Sequence, residues 1–176
     1  MHLTKSSIAR VCGLALGILL VGCSSSGGGS GDQTAPFIGT WTYTSGSIVP
    51  MCSLGSSPLT ISNFDLTGDT MTVTKLSNTE VGTMLMGTGV MCDVKFTVSG
   101  TTATAEAGQS CVVTVPLNLG TGTMNIAVTI DISTWTLMVS GDTLTIAMTG
   151  SATAESGLVT CAPTASGTAT RPASGG

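Results

Sequence analysis

The sequence predicts an all-β fold, an antiparallel meander that closes into a small barrel, with a sandwich as the alternative. Two observations carry that expectation. Apolar and polar residues alternate with period two over several stretches, as in strands with one buried face. A turn-and-strand unit recurs with Gly in the turn, as Thr67-Gly68-Asp69-Thr70, Ser99-Gly100-Thr101-Thr102 and Ser140-Gly141-Asp142-Thr143. Thr, Ser, Gly and Val dominate between the turns, which suits strands with hydroxyl-bearing outer faces. No stretch has helical period.

Taken in chain order, Trp41 and Tyr43 point inward against Thr40, Thr42 and Thr44. Val90, Cys92, Val94, Phe96 and Val98 share the face opposite Asp93, Lys95 and Thr97. From Gly122 to Ser133, the inward set is Met124, Ile126, Val128, Ile130 and Ile132, and Leu144, Ile146 and Met148 follow near the end. In the recurring unit, glycine supplies the positive φ that a two-residue hairpin turn needs. About nine or ten short strands result, and closure removes the free edges that would invite aggregation.

The front of the chain reads as an export signal. Lys5 and Arg10 precede an apolar run from Val11 to Val21, too short for a membrane span, which needs roughly 20 residues. It ends in Leu20-Val21-Gly22-Cys23, which resembles the lipobox of bacterial lipoproteins. The resemblance implies cleavage after residue 22 and a diacylglyceryl group plus an acyl chain of the palmitate type on Cys23. Stable membrane anchoring takes at least two such chains. Ser24 after the cysteine implies transfer to the outer membrane. The expected organisation is a signal peptide over 1–22, a lipidated Ser/Gly linker over 23–36, a β domain over 37–171 and a frayed tail over 172–176. The linker glycines follow no strand and open no helix, so they fail the context test for a phosphate-binding loop.

The expected mature chain has three basic residues, Lys75, Lys95 and Arg171, against nine acids. It lacks a basic patch to neutralise phosphates, so nucleic acid is not an expected partner. The single histidine, His2, lies in the signal peptide, which removes Ser-His-Asp, Cys-His and His-based zinc chemistry. A Ser–Lys dyad requires a desolvated lysine, and Lys95 falls on a polar face. The carboxylates nearest to a glycosidase pair are Asp65 with Asp69 and Asp131 with Asp142, but Asp69 and Asp142 sit in the recurring turn, where a short acceptor stabilises the turn itself. The expectation is a non-enzymatic protein without a cofactor.

Cys52, Cys92, Cys111 and Cys161 remain for the folded part, and an even count in an exported chain reads as disulfides with three open connectivities. Cys92 and Cys111 begin inward-facing strands one strand apart. Cys52 and Cys161 sit where closure joins the first and last strands. These positions favour Cys92–Cys111 and Cys52–Cys161. A zinc site lacks its usual C-x-x-C pair. Met84-Leu85-Met86 and Met91-Cys92 supply soft sulfur for Cu(I), against which the dispersed Met51, Met71, Met124, Met138 and Met148 suit core packing.

Gly39-Thr40-Trp41 resembles the G-x-W opening strand of lipocalins and their barrel relatives. That likeness implies a late arginine, here Arg171 in Thr168-Ala169-Thr170-Arg171, packed over Trp41 to close the barrel. The G-T-W-T-x-T-S-G start, four cysteines and G-T-A-T-R end also resemble small, uncharacterised lipoproteins of delta-proteobacteria. Together these imply a lipid-anchored envelope protein holding a small apolar ligand in a cavity of a few hundred cubic ångströms. The alternatives are a surface-interaction module with a protein partner, and Cu(I) binding.

Overall fold

A computed structural model describes residues 31–87, 90–118, 123–154, 157 and 159–171, with the side chains of 85–91 and 115–124 left aside. The expected signal peptide over 1–22, Cys23 and the tail from residue 172 lie outside the described residues. Among the latter, every regular element is a strand: β1 (Gly39–Leu54), β2 (Ser57–Leu59), β3 (Phe64–Asp65), β4 (Thr70–Lys75), β5 (Glu80–Gly87), β6 (Val90–Ser99), β7 (Thr102–Ala105), β8 (Ser110–Asn118), β9 (Thr123–Ser140), β10 (Thr143–Ala154) and β11 (Val159–Thr170).

All pairings are antiparallel, and the order β10-β11-β1-β4-β5-β6-β7-β9 closes on itself because β9 also pairs with β10. The result is a ring of eight strands. Two of the recurring units are two-residue hairpin turns, with Ser99 facing Thr102 and Ser140 facing Thr143. Gly100 and Gly141 both have φ of 59°, and no described non-glycine residue has positive φ. A positive φ at the first turn position alone is the type II′ pattern that matches strand twist. Gly68 does not make a hairpin. It turns the chain between β3 and β4, which lie along the same side of β1.

Two strand positions depart from the alternation read in the sequence. The β9 strand runs on past Ser133 to Ser140, because a bulge at its pairing with Thr149 and Gly150 shifts the phase by one residue. Ile132 and Trp135 therefore both face inward, and Leu137 and Val139 continue the buried face. Between β6 and β9, β7 and β8 form a single interrupted strand. Five steps along β6, from Phe96 to Met91, oppose seven along the chain from Ala105 to Val112. At the interruption the Gln109 amide replaces a peptide group: its Oε1 accepts from the Lys95 N–H at 2.7 Å and its Nε2 donates to the Lys95 carbonyl at 2.8 Å.

This interruption corrects the expected placement of one cysteine pair. Cys92 and Cys111 lie on neighbouring strands, because β7 ends after four residues and β8 takes its place beside β6. The structure joins Cys92 to Cys111 and Cys52 to Cys161. The second bond links directly opposed residues of β1 and β11.

The two ends of the ring differ. At one end the interior is filled by Phe37, Trp41, Met71, Val73, Val94, Phe96, Leu137 and Leu144. A plug formed by Asp32–Phe37, of which the sequence assigned residues 32–36 to the linker, closes this end. The Asp32 carboxylate accepts from the Thr34 N–H at 3.0 Å and pairs with Lys75 at 2.6 Å. The Lys75 ammonium, then Thr34, hold that carboxyl down to a pKa of about 2. The Phe37 N–H closes the turn onto the Thr34 carbonyl at 2.9 Å. At the other end the long strands continue past the core, and the inward positions Ile48, Val113, Val128 and Ile130 are only partly buried.

Candidate functional site

The expected closure residues meet at the filled end. The Arg171 guanidinium lies 5.1 Å from the centroid of the Trp41 ring, a contact worth roughly 0.5 to 2 kcal/mol. Its Nε donates to Asp142 at 3.1 Å and its Nη1 to the Pro36 carbonyl at 3.2 Å. Beneath it Trp41 is fully buried, and its indole N–H donates to the Phe37 carbonyl at 2.8 Å. The Trp41 N–H and the Arg171 Nε and Nη1 all find acceptors, so this cap holds the fold closed.

Where the filled core stops, the interior of the open end holds a recess of about 90 Å³. Tyr43 and Ile48 of β1, Leu66, and the Cys92–Cys111 bridge form one side. Val113, Ile130, Trp135, Ile146, Met148 and Ala165 complete it. Trp135, Met148, Ala165 and Ile48 are register partners across β9, β10, β11 and β1, so they form one continuous inward row. The volume falls short of the expected few hundred cubic ångströms because Trp135, packed edge-to-face on Phe96 at 5.4 Å between centroids, occupies the middle of the ring. A drug-sized ligand needs roughly 300 Å³ or more. The recess holds only a small molecule or the tip of a larger one.

None of the described residues lining the recess is charged. Tyr43 is 4% exposed, and burial, then the nearby Asp69, push its phenol up to about 12, so it stays protonated. Its ring lies over Gly46 and Gly167, directly opposed on β1 and β11. A Cβ at Gly167 would come within 2.7 Å of the Ser45 carbonyl oxygen, so only glycine permits this approach of the strands. The most informative group is Trp135: it is 2% exposed, and its indole N–H has no hydrogen-bond partner among the described residues. A buried donor left unpaired costs about 1 to 3 kcal/mol. Thr83, fully buried between Val73 and Val94, has the same deficit at its hydroxyl but lies outside the recess.

A larger hollow of about 530 Å³ lies on the outer face, walled by Thr70, Thr72 and Thr74 of β4 and by Asp93 and Lys95 of β6. It exists because Gly82 leaves a gap between those rows, over which the Leu76 side chain lies at 3.4 Å. Its polar walls are solvent-exposed strand faces, and the Gln109 amide at its margin is engaged in the ladder. We take the inner recess as the site because it combines enclosure with an unmet hydrogen-bonding group.

The other candidate residues fall apart spatially or have structural partners. Asp131 faces Ser151 in mid-hairpin, whereas Asp142 sits in the turn and binds Arg171. Asp65 accepts from the Thr67 N–H at 2.9 Å, and the Thr67 side chain, then that N–H, hold its carboxyl below the usual range. The methionines divide: Met71 and Met148 are buried, while Met51, Met84 and Met138 are 62%, 47% and 53% exposed, so core packing does not account for those three. The side chains of Met86, Met91 and Met124 lie outside the described residues. Sequence reasoning missed Trp135, although Trp135-x-Leu137-x-Val139 is itself an alternating pattern. The chain matches no protein-family model, no curated protein and no solved structure.

Proposed function

We propose that this chain is a lipid-anchored protein of the cell envelope that holds a small apolar molecule, or the apolar tip of a larger one, in the open end of its strand ring. The reading of the anchor rests on Leu20-Val21-Gly22-Cys23 behind a basic and apolar leader. Binding rests on one observation: the apolar inner row continues past the filled core into a recess free of charge among its described lining residues. The plug at Asp32–Phe37 sets the geometry of the whole. The described chain begins at the filled end, where Asp32 pairs with Lys75, so an anchor on Cys23 would join the domain there through the Ser/Gly linker.

A two-part experiment tests this. Metabolic labelling with an alkyne-bearing fatty acid should tag the wild-type chain and not Cys23→Ser. The Cys23→Ser chain should bind cyclopentane vapour with methyl shifts at recess residues such as Ile130, Ile146 and Met148 and none at Val73, Val81 or Leu144. Labelling unaffected by Cys23→Ser removes the anchor, and absence of those shifts removes the binding site.

A second reading has its own support at the same end. Leu54 and Phe64 occupy inward-phase positions of β1 and β3 yet are 51% and 39% exposed, an apolar rim suited to a protein partner. Partner protection confined to Leu54 and Phe64, with no small-molecule binding, would favour it.

A further inference from the structure

We infer that the recess selects a neutral molecule carrying a hydrogen-bond acceptor oxygen, such as a ketone, ester or ether, and that Trp135 reads that oxygen. The inference rests on the binding role proposed above and adds a ligand class and a specificity-determining residue. Its basis is the contrast between the two tryptophans. The Trp41 indole N–H is satisfied internally by the Phe37 carbonyl at 2.8 Å, whereas the similarly buried Trp135 N–H has no partner among the described residues. Trp135 lines the recess, but its N–H is itself buried, so an acceptor brought in by a ligand meets it only when the ring shifts to admit it.

The acceptor must be neutral. The described lining residues include no lysine or arginine, so a carboxylate placed there would lose its water without gaining a cation, a large penalty. The high pKa of Tyr43 reports the same poorly solvated surroundings. A pure hydrocarbon fits the apolar wall but leaves the Trp135 donor unpaired. A ketone of similar shape meets both demands. At about 90 Å³ the recess matches a five-membered ring in scale.

The test compares cyclopentanone, methylenecyclopentane and cyclopentanecarboxylate, which share a ring and differ in the group offered to the indole. Each is titrated into the ¹⁵N-labelled Cys23→Ser chain while the two indole N–H resonances are followed. Cyclopentanone should move the Trp135 resonance downfield, leave Trp41 in place and bind about tenfold more tightly than the alkene, the ratio expected for one buried hydrogen bond. The carboxylate should not bind. In Trp135→Phe the ketone should fall to the affinity of the alkene. Equal affinity of ketone and alkene for the unsubstituted recess, with the Trp135 resonance unmoved, overturns the inference while leaving the recess as a binding site; this is also the outcome if a water already satisfies the indole. Binding by neither overturns the inference and the binding role together. The comparison on the Trp135-containing chain decides even if Trp135→Phe fails to fold.

Discussion

The two ends of the ring are built from the same strands and reach opposite solutions. At the filled end Trp41 is buried under Arg171 with its N–H bonded, and the plug from Asp32 to Phe37 seals the interior. At the open end Trp135 is just as buried but unsatisfied, the inward side chains beyond it are half-exposed, and disulfides join the strands where packing thins. Stability and recognition are thereby separated along one axis. One end spends its polar groups on holding the fold, and the other keeps one in reserve.

The largest effect that would break the comparison is removal of the staples. Cys52–Cys161 closes a separation of 109 residues and Cys92–Cys111 one of 19, for which chain entropy gives about 5 and about 3 kcal/mol respectively. Urea unfolding of Cys52→Ala/Cys161→Ala should show the larger loss. Amide exchange should then rise first in the β1–β11 ladder near Leu54 and last around Trp41. Equal exchange at both ends would mean that the ends are not distinct in stability.

The tryptophans supply the sharper contrast. Trp41→Phe loses its hydrogen bond, strands the Phe37 carbonyl and weakens the arginine contact, an expected cost of about 3 kcal/mol. Trp135→Phe removes a donor that has no partner, and its cost should stay under about 1 kcal/mol. Chemical denaturation of the two variants measures both. A cost for Trp135→Phe matching that of Trp41→Phe would show that the Trp135 indole is satisfied after all.

Tyr43 gives the pH dependence of the recess wall. The folded chain holds the phenolic proton more tightly than the unfolded chain does, so its contribution is complete below pH 10 and is lost as pH rises from 10.0 to about 12. The decline should reach about 2 to 3 kcal/mol and be absent in Tyr43→Phe. Thr83→Val should have the smallest effect and the opposite sign. It replaces a buried, unpartnered hydroxyl by a methyl group of equal size, and a gain of about 1 kcal/mol in urea unfolding is expected.

How much of this was legible in the sequence follows from the range of each signal. Alternation is local, so the inward sets Cys92–Val98, Trp41–Tyr43 and Leu144–Met148 could be read directly, and all of their described members are buried save the outward residues between them. The hairpins at Gly100 and Gly141 were equally readable, since their chemistry lies in two adjacent residues. The bulge at Ser133 was not, because inserting one residue resembles the end of a strand until the partner Gly150 is known. The fusion of β7 and β8 into one strand position depends on Gln109 reaching back to Lys95, fourteen residues away. For the same reason the site escaped notice. An unpaired donor is a property of its three-dimensional surroundings, and the Thr-Trp-Thr triplet that Trp135 shares with Trp41 says nothing of what the indole N–H meets.

The central claim is that the interior is filled at one end and receptive at the other, and xenon tests it most directly, since it enters dry apolar spaces without needing any polar partner. Methyl spectra of the Cys23→Ser chain recorded under rising xenon pressure should shift at Ile130, Ile146 and Met148 and stay fixed at Val73, Val81 and Leu144. Shifts spread evenly over both sets, or confined to the second, would contradict the account.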